Sequence, residues 1–274
     1  MNNEDWSQHL HLVKDGFWSS NSTEVLSYPE DSYQACFEIE DKSFWFAHRN
    51  GVLSTILKRF PPGGPLLDIG AGNGYVSAGL AASGFKSVPL EPHPVGAENA
   101  YRRGLRPVLR STLEEAGFKP GSISAAGMFD VLEHLPNDGV FLEHLRPLLK
   151  PGGRLYLTVP AHPFLWSDED VYAKHFRRYT ASALSRTLIN AGYSVEYSGH
   201  FFAPLIPFIF LSRVVPHHLG FRNKNHLGKV QREHRMARGP IRWAWDALGN
   251  IELSLIKKRR LPFGASCIAV GKAP

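Results

Sequence analysis

The sequence predicts an α/β fold: a seven-stranded, doubly wound, Rossmann-like sheet with N-terminal helices and a helical insertion between the sixth and seventh strands. Three observations predict it. From residue 65 onward short apolar runs alternate with helical stretches, the pattern of βαβ units whose parallel sheet is covered on both faces. The first run ends in Gly70-Ala71-Gly72-Asn73-Gly74, a turn from strand into helix. Roughly sixty residues separate the last two runs, far more than a loop needs, so residues 201–262 form an insertion of their own.

Each element follows from local signals. Residues 1–30 have weak periodicity and read as a loosely structured lead-in. Asp31 or Ser32 caps a short helix through Glu38, and Ser43 caps a longer one through Arg59. Pro61-Pro62-Gly63-Gly64 ends it. Strands are expected at Pro65–Ile69, Ser87–Leu90, Pro107–Leu109, Ile123–Phe129, Arg154–Val159, Ser194–Ser198 and Ser266–Val270. Between them lie helices at Tyr75–Ser83, Val95–Arg103 and Asn137–Leu149, and one from a Thr180 cap through Ala191. Gly84, Gly104 and Gly192 stop three of these, because glycine enters the left-handed region without a Cβ clash. Pro151-Gly152-Gly153 is a turn. The expected units are an N-terminal helical cap over 1–60, a core over 61–200 and 263–274, and the insertion over 201–262.

Composition narrows the class. Hydrophobic residues make up 43% and charged residues 20%, proportions that bury a core and exclude a disordered chain. Glu4, Asp5, His9 and Lys14 interrupt the first apolar residues, so no leader is expected and the expected location is cytoplasmic. Cys36 and Cys267 lack metal-ligand spacing and read as buried thiols of a reducing compartment. The net charge of +6 is uneven. Residues 201–262 hold twelve Lys or Arg against three acids, a net of +9, which leaves about −3 for the rest. No recognition module accompanies the charge, so nucleic acid is not an expected partner.

The glycine turn carries the first chemistry. Glycine permits the tight turn and lets a ligand approach the backbone, while the following helix offers unpaired N–H groups. A dinucleotide fingerprint would need a third glycine at position 75, where Tyr75 stands, which argues against a nicotinamide oxidoreductase. Here the spacing is Asp68-x-Gly70-x-Gly72-x-Gly74. Glu91 ends the second strand, where a carboxylate can accept two hydrogen bonds from a ribose diol.

With these residues, and with Phe129-Asp130-Val131-Leu132-Glu133-His134-Leu135 and Leu148-Leu149-Lys150-Pro151-Gly152-Gly153, the chain resembles a class I S-adenosylmethionine-dependent methyltransferase. Within that superfamily it is similar to the ubiquinone-biosynthesis O-methyltransferase group. The resemblance runs over Phe44–Tyr193 and returns at Leu261–Gly271. It implies S-adenosylmethionine as cofactor and a small-molecule substrate methylated at oxygen, with nitrogen or carbon as alternatives. It implies that Gly70 and Gly72 line the methionyl part and ribose, that Asp68 supports the loop and the cofactor amine, and that Glu91 binds the ribose hydroxyls; Gly74 is expected at the cofactor too, its alternative being to permit helix–sheet packing. Thr112 and Leu113 would flank adenine, although Arg110-Ser111-Thr112 departs from the acid common there in the family. Phe129 would offer its backbone to the methionine group. A non-catalytic module that binds the same cofactor is the second rival.

Methyl transfer from a sulfonium needs an aligned nucleophile and, for a hydroxyl, a proton acceptor. Candidates lie beyond the fourth and fifth strands, at the sheet's carboxyl edge. His175 in Lys174-His175-Phe176-Arg177-Arg178-Tyr179-Thr180 is either a base or, with Arg178 and Tyr179, part of a hydrogen-bonded lead into the Thr180 helix. The expected catalytic residues are His175, Asp130 and Arg178. In relatives an acid-x-x-Glu-His segment like Asp130, Glu133 and His134 holds a divalent metal; here no metal is expected, the cluster reading as a helix cap. In Phe44-Trp45-Phe46-Ala47-His48-Arg49-Asn50 the aromatics read as core packing, or as a helix closing over the cofactor with Arg49 facing its carboxylate.

The insertion opens with Phe201–Leu211, nearly all apolar but shorter than the roughly 20 residues of a membrane span, and interrupted by Pro204 and Pro207. It is a lid over the substrate, a segment making peripheral membrane contact, or a layer packed on the core. The first two favour a substrate with an apolar portion. The lid reading expects a Gly-Ser turn in place of 203–260 to keep cofactor binding and abolish methylation. The sequence does not set an oligomeric state.

Overall fold

The computed structural model describes residues 7–20, 30–221 and 240–274. Arg222, Lys224, Lys229, Arg232, Glu233, Arg235 and Arg238 of the basic insertion lie outside the described residues, as do the side chains of Asp31, Ser32 and Arg242.

Nine strands form one sheet: β1 (His11–Lys14), β2 (Phe17–Ser19), β3 (Leu66–Ile69), β4 (Ser87–Leu90), β5 (Val108–Arg110), β6 (Ile123–Phe129), β7 (Leu149–Pro160), β8 (Ser194–Phe201) and β9 (Ser266–Lys272). Their order is β1-β2-β5-β4-β3-β6-β7-β9-β8. The seven strands expected from the sequence are β3 to β9. Parallel pairing runs from β2 through β7, whereas β9 inserts antiparallel between β7 and β8. The sheet is therefore mixed, not parallel throughout.

The lead-in expected over residues 1–30 contains a hairpin, β1-β2, that extends the sheet beyond β5. Its outer strand is wholly exposed, so it carries no apolar alternation to read. The readable signal was Asp15-Gly16, a hairpin dipeptide, with Gly16 at φ 65°. β7 also begins earlier than expected. Leu149 pairs with Ile123, and the Pro151-Gly152-Gly153 turn becomes an irregularity inside the strand, with Gly152 at φ 73°.

Helices cover both faces. α1 (Glu30–Glu40), α2 (Phe44–Arg59), α3 (Tyr75–Ala82), α4 (Pro94–Arg102), α5 (Asp138–Leu145), α6 (Asp168–Tyr172) and α7 (Ala181–Asn190) precede the insertion. Ser43 occupies the N-cap of α2 in extended conformation, and Thr180 Oγ1 accepts the Ala183 N–H at 3.1 Å to cap α7. Side chains alternate along the central strands. Leu155, Leu157 and Val159 join Leu142, Leu145, Leu184 and Leu188 on one face. Tyr156 joins Val52, Leu53 and Ile56 of α2 on the other.

The insertion is helical where described: α8 (Ile206–Ile209), a π-helical turn at Phe210–Val214, α9 (Val215–His218) and a long helix, Pro240–Ile256. It is not separable from the core. Ile206, Ile209, Val214 and Ile256 are buried in the same cluster as Val52, Leu53 and Val270. His48 on α2 meets Glu252 on the long helix at 2.6 Å, both buried, and Glu252 accepts the N–H groups of Phe202 and Ala203 at 2.9 and 2.8 Å. The Gly-Ser replacement of 203–260 would strip that face and leave His48 buried without its partner. The expectation that it spares cofactor binding is therefore withdrawn.

Candidate functional site

The carboxyl ends of β3, β4, β6 and β7 open on a cavity of about 670 Å³. Ile69, Leu90, Phe129 and Pro160 mark its sheet side. Gly70, Gly72 and Gly74 stand at φ 69°, 54° and 73°, so all three need the left-handed region. Their surroundings differ. A Cβ on Gly70 would meet Val131 Cγ2 at 2.8 Å, while one on Gly72 would meet nothing within 4 Å. Gly72 is thus the bare floor of the cavity, where a ligand can lie against backbone. Gly74, expected at the cofactor, does not line the cavity. A Cβ there would lie 2.7 Å from Ala100 and Leu105, so this glycine lets α3 and α4 pack closely.

Glu91 is buried beside this floor and locks it. Its Oε2 accepts the Gly72 N–H at 2.6 Å, and Oε1 accepts from the His93 N–H at 2.9 Å and the Tyr33 hydroxyl at 3.2 Å. Burial pushes its carboxyl up to about 7, outweighing the three donors. Asp68 accepts from Ser77 Oγ at 2.7 Å, and burial raises it to about 6. It therefore supports the first turn of α3. Thr112 and Leu113 line the cavity, but Thr112 Oγ1 is engaged with Glu115. The neighbouring Ser111 hydroxyl is buried, lines the cavity and has no hydrogen-bond partner among the described residues.

Sequence reasoning missed the wall opposite the sheet. Tyr33 on α1 stacks on His93 with ring centroids 4.3 Å apart. Asn73 holds it there, donating to the Tyr33 carbonyl at 2.9 Å and accepting from Asn99 at 3.0 Å. No spacing in the sequence links a helix at 33 to a loop at 73.

Arg49 lines the cavity from α2, and its Nη1 donates to Asp130 Oδ2 at 2.5 Å. Thr158 Oγ1 donates to Asp130 Oδ1 at 3.2 Å. Asp130 sits at φ 60°, an unusual conformation for a residue with a side chain. This pairing corrects two expectations. Asp130 faces the Arg49 cation rather than standing as a free base, and the donors that converge are those of Glu133, His134 and His175, without Asp130. Among the described residues Arg49 Nε is buried without a hydrogen-bond partner, a donor suited to an anionic group in the cavity.

Asp170, which the sequence did not single out, is the pivot of the far end. Its side chain is fully buried in the first turn of α6, where it completes a capping box with Ser167. Oδ1 accepts from Arg178 Nε at 2.8 Å and from His175 Nδ1 at 2.9 Å. Burial raises its carboxyl, but the His175 hydrogen bond and the Arg178 charge prevail and hold it below the ordinary range. A carboxylate only accepts, so the His175 proton is on Nδ1 and Nε2 carries the lone pair. Nε2 lies 3.9 Å from Glu133 Oε1. Tyr179 takes no part, since its hydroxyl donates to Asp138 at 2.5 Å.

Donor atoms of Glu133, His134 and His175 all fall within 4.8 Å of one another. Both Glu133 oxygens are buried without a hydrogen-bond partner among the described residues. Burial and the Asp130 charge raise its carboxyl well above the ordinary range, and burial lowers His134 to about 4. Turnover is expected to survive excess EDTA. Loss of activity restored by a divalent cation would instead assign Glu133, His134 and His175 as ligands.

A doubly wound sheet with a glycine floor, a strand-end carboxylate and a cavity at its carboxyl edge defines an α/β protein built to hold a nucleoside-bearing cofactor. Comparison with known proteins places it further. A family model described as a methyltransferase domain matches residues 45–198, more than half of the chain. The chain belongs to this family, the S-adenosylmethionine-dependent methyltransferases. Among curated relatives, a ubiquinone biosynthesis O-methyltransferase of Xanthomonas campestris pv. campestris is 30% identical over 103 residues, 35% of this chain and 43% of the relative. That of Xylella fastidiosa is 30% identical over 113 residues, 39% and 46%. The matches thus span under half the length of these relatives. Solved structures share the fold. A possible histamine N-methyltransferase of Thermotoga maritima has a TM-score of 0.56 at 19% identity, covering 89% of this chain and 95% of its own. Phosphoethanolamine N-methyltransferase 2 of Haemonchus contortus has a TM-score of 0.56 at 18% identity, covering 94% and 62%.

Proposed function

We propose that this protein transfers a methyl group from S-adenosylmethionine to oxygen of a small molecule with an apolar portion. The observation that carries this reading is one cavity with two ends. At one end lies the Gly72–Glu91 floor; at the other, the Asp170–His175 couple. The cofactor fits the residues present. Gly72 leaves room against backbone, and Arg49 Nε is an unpartnered buried donor suited to a carboxylate. Glu91 retains acceptor capacity for ribose hydroxyls beyond its three donors. When bound, the cofactor supplies an electrophilic methyl group.

The remaining work falls to the chain. Trp45, Phe46, Phe141 and Ile209 give the cavity apolar walls, which exclude water and favour an apolar acceptor. His175 Nε2, aimed by Asp170, accepts the proton of the acceptor hydroxyl. Arg178 keeps Asp170 ionised so that the imidazole holds this tautomer. Oxygen is favoured over nitrogen and carbon because the positioned imidazole suits a hydroxyl, and because the curated relatives carry that activity in their names. The test combines calorimetry with S-adenosylmethionine and transfer of labelled methyl to a panel of phenols, amines and carbon acids. Tight cofactor binding with label on phenols is expected. Binding without transfer to any class would leave a cofactor-binding module, and transfer only to amines would overturn the oxygen assignment.

A further inference from the structure

The insertion carries an apolar surface that the fold leaves uncovered. A helix on a protein surface ordinarily turns a polar stripe outward. The Pro240–Ile256 helix turns out such a row, Asp246, Asn250 and Ser254, but exposes an apolar row beside it. Its inner side places Glu252 and Ile256 against the core. Its outer side presents Trp243, Ala247 and Ile251, four residues apart, with Leu248 beside them. Trp243 is 81% exposed. The first half of the insertion behaves likewise. Ile209 and Arg213 line the cavity, while Phe210, Leu211, Leu219 and Phe221 face outward, Leu211 at 68% and Phe221 at 71% exposure. Lys257, Lys258, Arg259 and Arg260 are exposed where the long helix ends.

We propose that this face docks on the surface of an anionic lipid bilayer, a property beyond the methyl-transfer reading and independent of it. Charge selects the occupant. The exposed cations Lys257, Lys258, Arg259 and Arg260 attract anionic headgroups, whereas a second copy would bring the same cations to meet them, and the insertion's sequence as a whole is basic. The side chains have the composition of an interfacial element, with Trp, Phe and Leu to enter the headgroup boundary and Lys and Arg to meet phosphate. No described helix is long and apolar enough to cross a membrane, so the element lies on the bilayer. The same short segment walls the cavity with Ile209 and Arg213 and exposes Phe210 and Leu211, so docking brings the site to the lipid surface.

The test is flotation of the full chain with phosphatidylcholine vesicles containing about 30% phosphatidylglycerol, and with phosphatidylcholine vesicles alone, alongside cofactor calorimetry. Binding to the anionic vesicles is expected at about 0.1 M salt, with at least about tenfold weakening at about 0.5 M salt. A Trp243→Ser, Phe221→Ser double variant should lose at least about tenfold in vesicle affinity and keep its cofactor Kd. These side chains are exposed, so the fold does not depend on them. Failure to bind anionic vesicles by protein that binds cofactor overturns the proposal, as does a double variant that floats like the parent. A lipid-free dimer dissolved by Trp243→Ser would assign the face to a second copy instead. Vesicle binding without cofactor binding would leave docking standing and sink the methyl-transfer reading.

Discussion

Replacement of Glu91 by alanine is expected to weaken S-adenosylmethionine binding at least about tenfold, or about 1.4 kcal/mol. Two losses combine. The carboxylate that would accept the ribose hydroxyls is gone, and the Gly72 and His93 N–H groups lose their acceptor, so the loop loosens. The pH dependence of the parent protein provides an independent check. Burial raises Glu91 to about 7 and Asp68 to about 6, so both take up protons as pH falls toward 6. Protonated Glu91 is a poorer acceptor, so cofactor affinity is expected to fall as pH drops below about 7. The stability effect has the opposite sign. A carboxyl raised on folding favours the folded state when protonated, and that contribution is lost as pH rises from the ordinary carboxylate value of 4.5 through about 7. Glu91→Gln should flatten the Glu91 part of the binding profile. An alanine variant with unchanged Kd by calorimetry would remove Glu91 from the site.

The second large effect is expected on turnover. His175→Ala should lower kcat by about 10²–10⁴-fold, the range for losing a positioned base, while the cofactor Kd stays within about threefold. Asp170→Asn should mimic it. An amide can donate to Nδ1, which drives the proton to Nε2 and removes the lone pair from the cavity side. Asparagine is the useful replacement. Alanine would leave Arg178 buried and unpaired, at a cost of about 3–5 kcal/mol, and confuse folding with catalysis. The discriminating readout is the split between kcat and cofactor Kd for the two variants. If both turn over normally while folded, His175 and Asp170 serve only to hold the lead into α7.

Parts of this molecule are legible in order along the chain and parts are not. The strand-helix alternation and the glycine loop are local: a strand, its turn and the next helix are decided by residues within a few positions of one another. Gly74 shows the limit. Its spacing matches the ligand-binding glycines, yet beyond its positive φ what a side chain there would meet is Ala100 on α4 and Leu105 just after it, not a ligand. Asp130 shows the same limit, since Arg49, 81 residues earlier, takes its charge.

What the sequence by itself determined is the core order of elements, the family, the glycine floor and the strand-end position of Glu91. Each rests on backbone conformation or on contacts short in sequence. Only the tertiary structure decided that β9 runs antiparallel, that a hairpin before residue 20 extends the sheet, and that Asp170 orients His175. It also decided that the insertion shares the core through Ile256 and the His48–Glu252 pair while leaving Trp243 bare. The physical reason is common to these cases. Burial, pairing and proton position are set by what a group meets in space, and its partners here come from segments tens to hundreds of residues away, or from a neighbour whose role as acceptor appears only once the fold buries it.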